Sequence, residues 1–330
     1  MTVNKRRPVE LTSCENHKPP HEKNNGPPFP RSGNLKNLLQ TVTFFTQFRI
    51  TRNQLKPNTM KRNILIIAVA IMGMALTSCI NIDGERLGGK TIKGDGNIMT
   101  RTFDVSAFDD LSNALPATVN FTVSDDYTCV VRVDENIVEY LDIKVDEHDL
   151  VMKKHAEYNN TNLRATEFVI DVTAPSLEEI NLAGSGKVNV LSPMEGAKME
   201  ASVAGSGDIV FIHTVSVNKI ELSVAGSGDL VCNELVADEL EADVAGSGDM
   251  KVMSGAVREA EASVAGSGDI DLLCDIENLD ADIAGSGDIK ARVSGKLEYS
   301  IFGSGNIGYY GNPVVEGGKG GSSKLKRLGD

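Results

Sequence analysis

Short runs of alternating apolar and polar residues recur along the second half of the chain, each closing on Gly-Ser-Gly. The tripeptide begins at Gly184, Gly205, Gly226, Gly246, Gly266, Gly285 and Gly303, at spacings of 21, 21, 20, 20, 19 and 18 residues. Five positions before each first glycine stands an acid: Glu179, Glu200, Glu221, Glu241, Glu261, Asp280 and Glu298. Two positions before it stands a branched apolar residue: Leu182, Val203, Val224, Val244, Val264, Ile283 and Ile301. After the tripeptide come Lys187, Asp208, Asp229, Asp249, Asp269, Asp288 and Asn306, each followed by an apolar residue. A period of two predicts strands with one buried and one wet face. Glycine tolerates positive φ and close backbone approach, so each tripeptide reads as a sharp corner.

A strand–corner–strand unit repeated about every twenty residues predicts a solenoid, because one unit alone cannot bury its apolar face. The expected fold is all-β: a parallel β-helix of about seven coils over residues 176–310, with coils about 4.8 Å apart. Seven hairpins of an antiparallel sandwich or barrel are the alternative. Residues 98–175 read as a β-rich N-terminal part with strands at Thr118–Val123, Thr128–Val133, Leu141–Val145, Leu150–Lys154 and Phe168–Thr173. They fit either irregular early coils or a small cap. Residues 311–330, rich in Gly and Lys, read as a flexible tail.

The beginning of the chain reads as an address. Met60-Lys61-Arg62, an apolar stretch from Ile64 and then Leu76-Thr77-Ser78-Cys79 form a lipoprotein signal peptide over residues 60–78, with Cys79 as the lipidated residue. Residues 1–59 would precede that signal; they read as a disordered upstream extension beyond the true start. Residues 79–97 read as a polar tether. The anchor places the protein at the outer membrane, facing the periplasm or the outside.

Charge narrows the partners. The chain has 33 Lys and Arg against 46 Asp and Glu; residues 1–78 hold 12 and 3 of these, which leaves 21 against 43 and a net charge of −22. So acidic a chain disfavours nucleic acid and anionic lipid. Beyond Cys79, the cysteines Cys129, Cys232 and Cys274 allow at most one disulfide; Cys232 falls at an inward position and also reads as a small buried hydrophobe.

Stacking would align the acids into a ladder, with Glu200, Glu221, Glu241, Glu261 and Asp280 as the candidate binding row. Asp208, Asp229, Asp249, Asp269 and Asp288 would form a second row at the corner. Three readings stand for these rows: a solvated sheet face, Ca²⁺ sites built from clustered carboxylates, or corner aspartates capping N–H groups of their own turn. No other cofactor is expected. His148, His155 and His213 lack metal-spaced partners, and no nucleophile elbow or phosphate loop is present. No catalytic residue is assigned.

The unit Glu-x-Ser-Val-Ala-Gly-Ser-Gly-Asp-Ile, preceded by Thr128-Cys129-Val130-Val131-Arg132-Val133-Asp134-Glu135-Asn136, resembles the putative auto-transporter adhesin, head GIN domain family over residues 95–310. The resemblance implies a right-handed parallel β-helix in an envelope protein, commonly a Bacteroidetes lipoprotein. The expected function is a non-enzymatic module presenting an acidic face to a protein or glycan ligand. A periplasmic structural protein and a glycan-active enzyme are the alternatives.

Overall fold

The computed structural model describes residues 90–330. The upstream extension, the signal peptide, Cys79 and the first part of the tether lie outside the described residues. Strand pairing decides between coil and hairpin. β10 (Glu179–Gly184), β12 (Met194–Gly205), β13 (Asp208–Gly226), β14 (Leu230–Gly246), β16 (Gly255–Gly266), β17 (Ile270–Gly285) and β18 (Ile289–Gly303) stack as parallel neighbours in one register. Glu200 lies beside Glu221, and Gly205 beside Gly226. Each repeat is therefore one coil of a parallel β-solenoid.

The alternation sets what lies inside. Ala201, Leu222, Ala242 and Ala262 form one inward column, and Val203, Val224, Val244 and Val264 the next; all are buried. On the second side Ile209, Leu230, Met250 and Ile270 face them. Cys129, Cys232 and Cys274 are buried free thiols, and burial pushes each up to about 12. They behave as small apolar side chains.

The corners require glycine for two separate reasons. Gly226 sits at φ 133°, and a Cβ there would lie 2.2 Å from the Gly205 carbonyl oxygen. A Cβ on Gly228 would lie 2.0 Å from the Gly207 carbonyl oxygen. The central serine contributes its backbone: Ser227 N–H donates to the Gly205 carbonyl at 2.7 Å, which ties one corner to the previous one.

The N-terminal end is closed differently. β3 (Asp110–Asn113) and β4 (Thr118–Val123) form a coil that stacks against the first repeat through β10 and β11 (Lys187–Val190). On its other side lie β7 (Asp149–Lys154) and β9 (Phe168–Ala174), also parallel. Then the direction reverses. β6 (Leu141–Asp146) pairs antiparallel with β7, β5 (Thr128–Asp134) with β9, and β2 (Ile98–Phe103) with β5. Antiparallel strands cannot continue a parallel stack, so they end it; residues 98–175 supply both early coils and a cap.

The entering chain is clipped to this cap. β1 (Thr91–Lys93) pairs with β8 (Asn162–Arg164), so residues expected in the tether belong to the folded body. Asp134 is wholly buried and accepts hydrogen bonds from the N–H groups of Gly96 at 2.8 Å and Thr166 at 2.6 Å. Burial raises its pKa, but those donors outweigh it and hold the carboxyl below its usual range.

The expected flexible tail is corrected by β20 (Val314–Gly321) and β21 (Lys324–Gly329), which add an eighth coil in register with β18 and β19 (Asn306–Tyr310). The reading failed because this coil lacks the apolar inward pattern. Gly317 and Lys319 stand opposite Tyr299 and Ile301. An exposed lysine at the register position of the inward column on an edge strand discourages further strands from adding.

Candidate functional site: the acidic ladder

The register brings Glu179, Glu200, Glu221, Glu241, Glu261, Asp280 and Glu298 into one outward column. It also recruits three acids outside the Gly-Ser-Gly repeats. Asp110 pairs with Glu179 and with Asp149 at one end, and Glu316 pairs with Glu298 at the other. Two unit charges about 5 Å apart in water repel by somewhat under 1 kcal/mol. A column of ten therefore needs relief.

Lysine supplies it at two places, within the column and at its C-terminal end. Lys198 Nζ lies 3.2 Å from Glu200 and 3.7 Å from Glu221; Lys219 Nζ lies 3.2 Å from Glu221 and 2.7 Å from Glu241. Burial would lower the Lys219 pKa, but Glu241 and Glu221 outweigh it and raise it. Lys296 bridges Glu298 and Glu316. Between these lysines the same flanking column reads Glu239, Glu259 and Asn278. The column on the other flank adds Asp243 and Asp282 around Ser263. Three successive coils thus carry Glu239, Glu241, Asp243, Glu259, Glu261, Asp280 and Asp282 on one flat face.

Glu261 sits at the centre. Partial burial raises its pKa, and the charges of Asp243, Glu241, Asp280 and Asp282 raise it further. Asp149 is also raised, first by burial and then by Glu179 and Asp146, although Ser112 Oγ donates to it at 2.8 Å. Sequence reasoning found the seven repeat acids by spacing. It missed Asp110, Asp149 and Glu316, which no tripeptide marks.

The corner aspartates make contacts between coils. Asp249 N–H donates to Asp229 at 3.0 Å, Asp269 N–H to Asp249 at 3.2 Å, and Asp288 N–H to Asp269 at 2.8 Å. Asn306 closes the row on Asp288 at 2.7 Å. They cap the next coil, where their own turn was the alternative. Among the described residues no group of three or more His, Cys, Asp or Glu side chains is placed to hold a metal ion.

Residues 107–313 match the family described as putative auto-transporter adhesin, head GIN domain. The chain belongs to this family. Solved structures resemble the head GIN domain body. A putative lipid binding protein from Parabacteroides distasonis is 32% identical with a TM-score of 0.70, spanning 72% of this chain and 100% of its own. A putative adhesin from the same species is 27% identical with a TM-score of 0.67, over 72% and 100%. A putative adhesin from Parabacteroides merdae, at 23% identity and a TM-score of 0.67 over 72% and 99%, shares the fold. No curated protein matches the chain significantly. Family and solved relatives are described as adhesin or lipid-binding, none as an enzyme.

Proposed function

We propose that this chain is a non-enzymatic, adhesin-like protein of the cell envelope, held at the outer membrane through Cys79, whose acidic ladder engages the cationic surface of a protein ligand. One observation carries the reading: the flanking column changes from Lys198 and Lys219 to Glu239 and Glu259, and charge concentrates on three coils. A solvated face needs no such grouping. A flat, preformed sheet face binds without ordering of its backbone, and its field speeds encounter with a partner of opposite sign.

The test is charge reversal at the centre. Glu241→Lys with Glu261→Lys should abolish salt-sensitive capture of a cationic protein probe, lysozyme, while the circular dichroism spectrum stays that of the parent. Retained capture by the folded variant would sink the reading. Protease shaving of intact cells tests the address: cleavage of the coils from living cells is expected.

A further inference from the structure

The net charge of −22 over residues 79–330 hides a reversal at one end. The corner column runs Asp208, Asp229, Asp249, Asp269 and Asp288, then Asn306, then Lys324. Two residues on, the next outward column carries Lys290 and Lys326 with Gly308 between them. Those lysines stand about 10 Å apart, two coil spacings. Lys324 and Lys326 are exposed and have no carboxylate within ion-pair distance among the described residues.

An aromatic ring borders Lys290. The Tyr310 ring lies 5.7 Å from both Lys290 Nζ and the Arg292 guanidinium carbon. Across the corner, Phe302 is 74% exposed, the most exposed large apolar side chain among the described residues. It occupies the outward position that Ala204, Ala225, Ala245, Ala265 and Ala284 fill in earlier coils. Phe302 stands opposite Gly320 of the outermost coil, four residues before Lys324, and at that exposure it adds little to the core.

We propose that this corner of the last three coils binds an anionic glycan, a sugar polymer bearing sulfate or carboxylate groups. Lys290, Lys324 and Lys326 take the acid groups, while Phe302 and Tyr310 offer ring faces for the sugar. The patch follows the rod lengthwise, which suits a linear polymer touching successive coils. Phe302 and Tyr310 lie on two sides of one corner, so a flat bilayer cannot receive both. Lys290 has Asp271 as its neighbour on the preceding coil, so the patch is most cationic at Lys324 and Lys326. The acidic coils behind it repel a long nucleic acid more than a short oligosaccharide seated on those two, since charges beyond about 8 Å are largely screened at physiological salt. The site is separate from the acidic ladder and stands or falls without it.

The test uses residues 90–330, the part the structure describes; the crystallised relatives match 72% of this chain over their whole length. Dextran sulfate oligosaccharides should bind and neutral dextran should not, with affinity falling as salt rises. Lys324→Glu with Lys326→Glu should weaken binding at least tenfold, as should Phe302→Ala with Tyr310→Ala, while Glu241→Gln with Glu261→Gln causes no loss. If the double lysine variant loses its strand signal, Lys290→Ala replaces it with the same expected direction. No binding by the parent, full binding by the folded lysine variant, or indifference to the aromatic pair would overturn the proposal. Tighter binding to single-stranded DNA or to phosphatidylglycerol vesicles would overturn it too.

Discussion

Asp229 accepts a hydrogen bond from the backbone N–H of Asp249, the equivalent residue one coil further on, at 3.0 Å. Two like-charged residues are thus joined through the uncharged backbone of one of them. A carboxylate satisfies an N–H left without a strand partner at the corner, as a cap does at a helix end. Asp229→Asn keeps an acceptor oxygen and should change stability little. Asp229→Ala should lower it by about 1 kcal/mol, read from urea unfolding. Equal stabilities for the two variants would show that the bond contributes nothing.

Gly226→Ala should be among the most damaging single changes. Its Cβ would stand 2.2 Å from the Gly205 carbonyl oxygen at φ 133°. Left-handed strain and overpacking together should cost about 3 kcal/mol or more. Gly318→Ala is the control, because nothing lies within 4 Å of its added Cβ. It should unfold at the parent's urea midpoint.

Glu261 gives the ladder a pH signature. Its folded-state pKa is raised above the usual 4.5 by burial and by Asp243, Glu241, Asp280 and Asp282. The folded chain therefore holds that proton more tightly than the unfolded chain, and ionisation weakens the fold. Glu261→Gln should raise the melting temperature at pH 7 by about 1–2 °C, a few tenths of a kcal/mol once solvent screening is allowed for. The gain should shrink as pH falls through the folded pKa and vanish below the unfolded one. A gain that persists in acid would refute the electrostatic cause.

Lys319 guards an edge. It stands at the register position of the inward column opposite Ile301, and its amino group reaches the Ser323 carbonyl at 3.4 Å. Lys319→Val restores the inward apolar column on the outermost strand. Light scattering after size exclusion should show the variant associating with rising concentration while the parent at equal concentration has the smaller mass. An unchanged mass would show that lysine is not what protects this end.

Much of the coil could be read from the chain because alternation and register coincide in it. Val203 and Val224 are recognised as inward by spacing alone, and the strand limits at Thr118–Val123 were legible to the residue. The rest depended on which coil lies beside which. Asp110, Asp149 and Glu316 join the ladder only through pairing across unlike segments. The partner of Asp229 is twenty residues away, beyond what a local turn motif can suggest. The eighth coil escaped notice because Gly317 and Lys319 erase the alternation that marks a buried face.

The coil of β3 and β4 has as neighbours β7 and β9 on one flank and β10 and β11 on the other, all made after it. Order of synthesis and order in space therefore disagree at this seam, as they also do where β1 meets β8 and β2 meets β5. A nascent chain cannot build the rod by simple winding: Leu111 and Val119 must wait until residues up to Val190 have emerged before both flanks are covered. Past β10 the two orders agree, and each new turn finds its template already in place. Lengthening by duplication of a twenty-residue unit is thus open on that side of the seam alone, so reach can change over evolutionary time while the closing structure is kept.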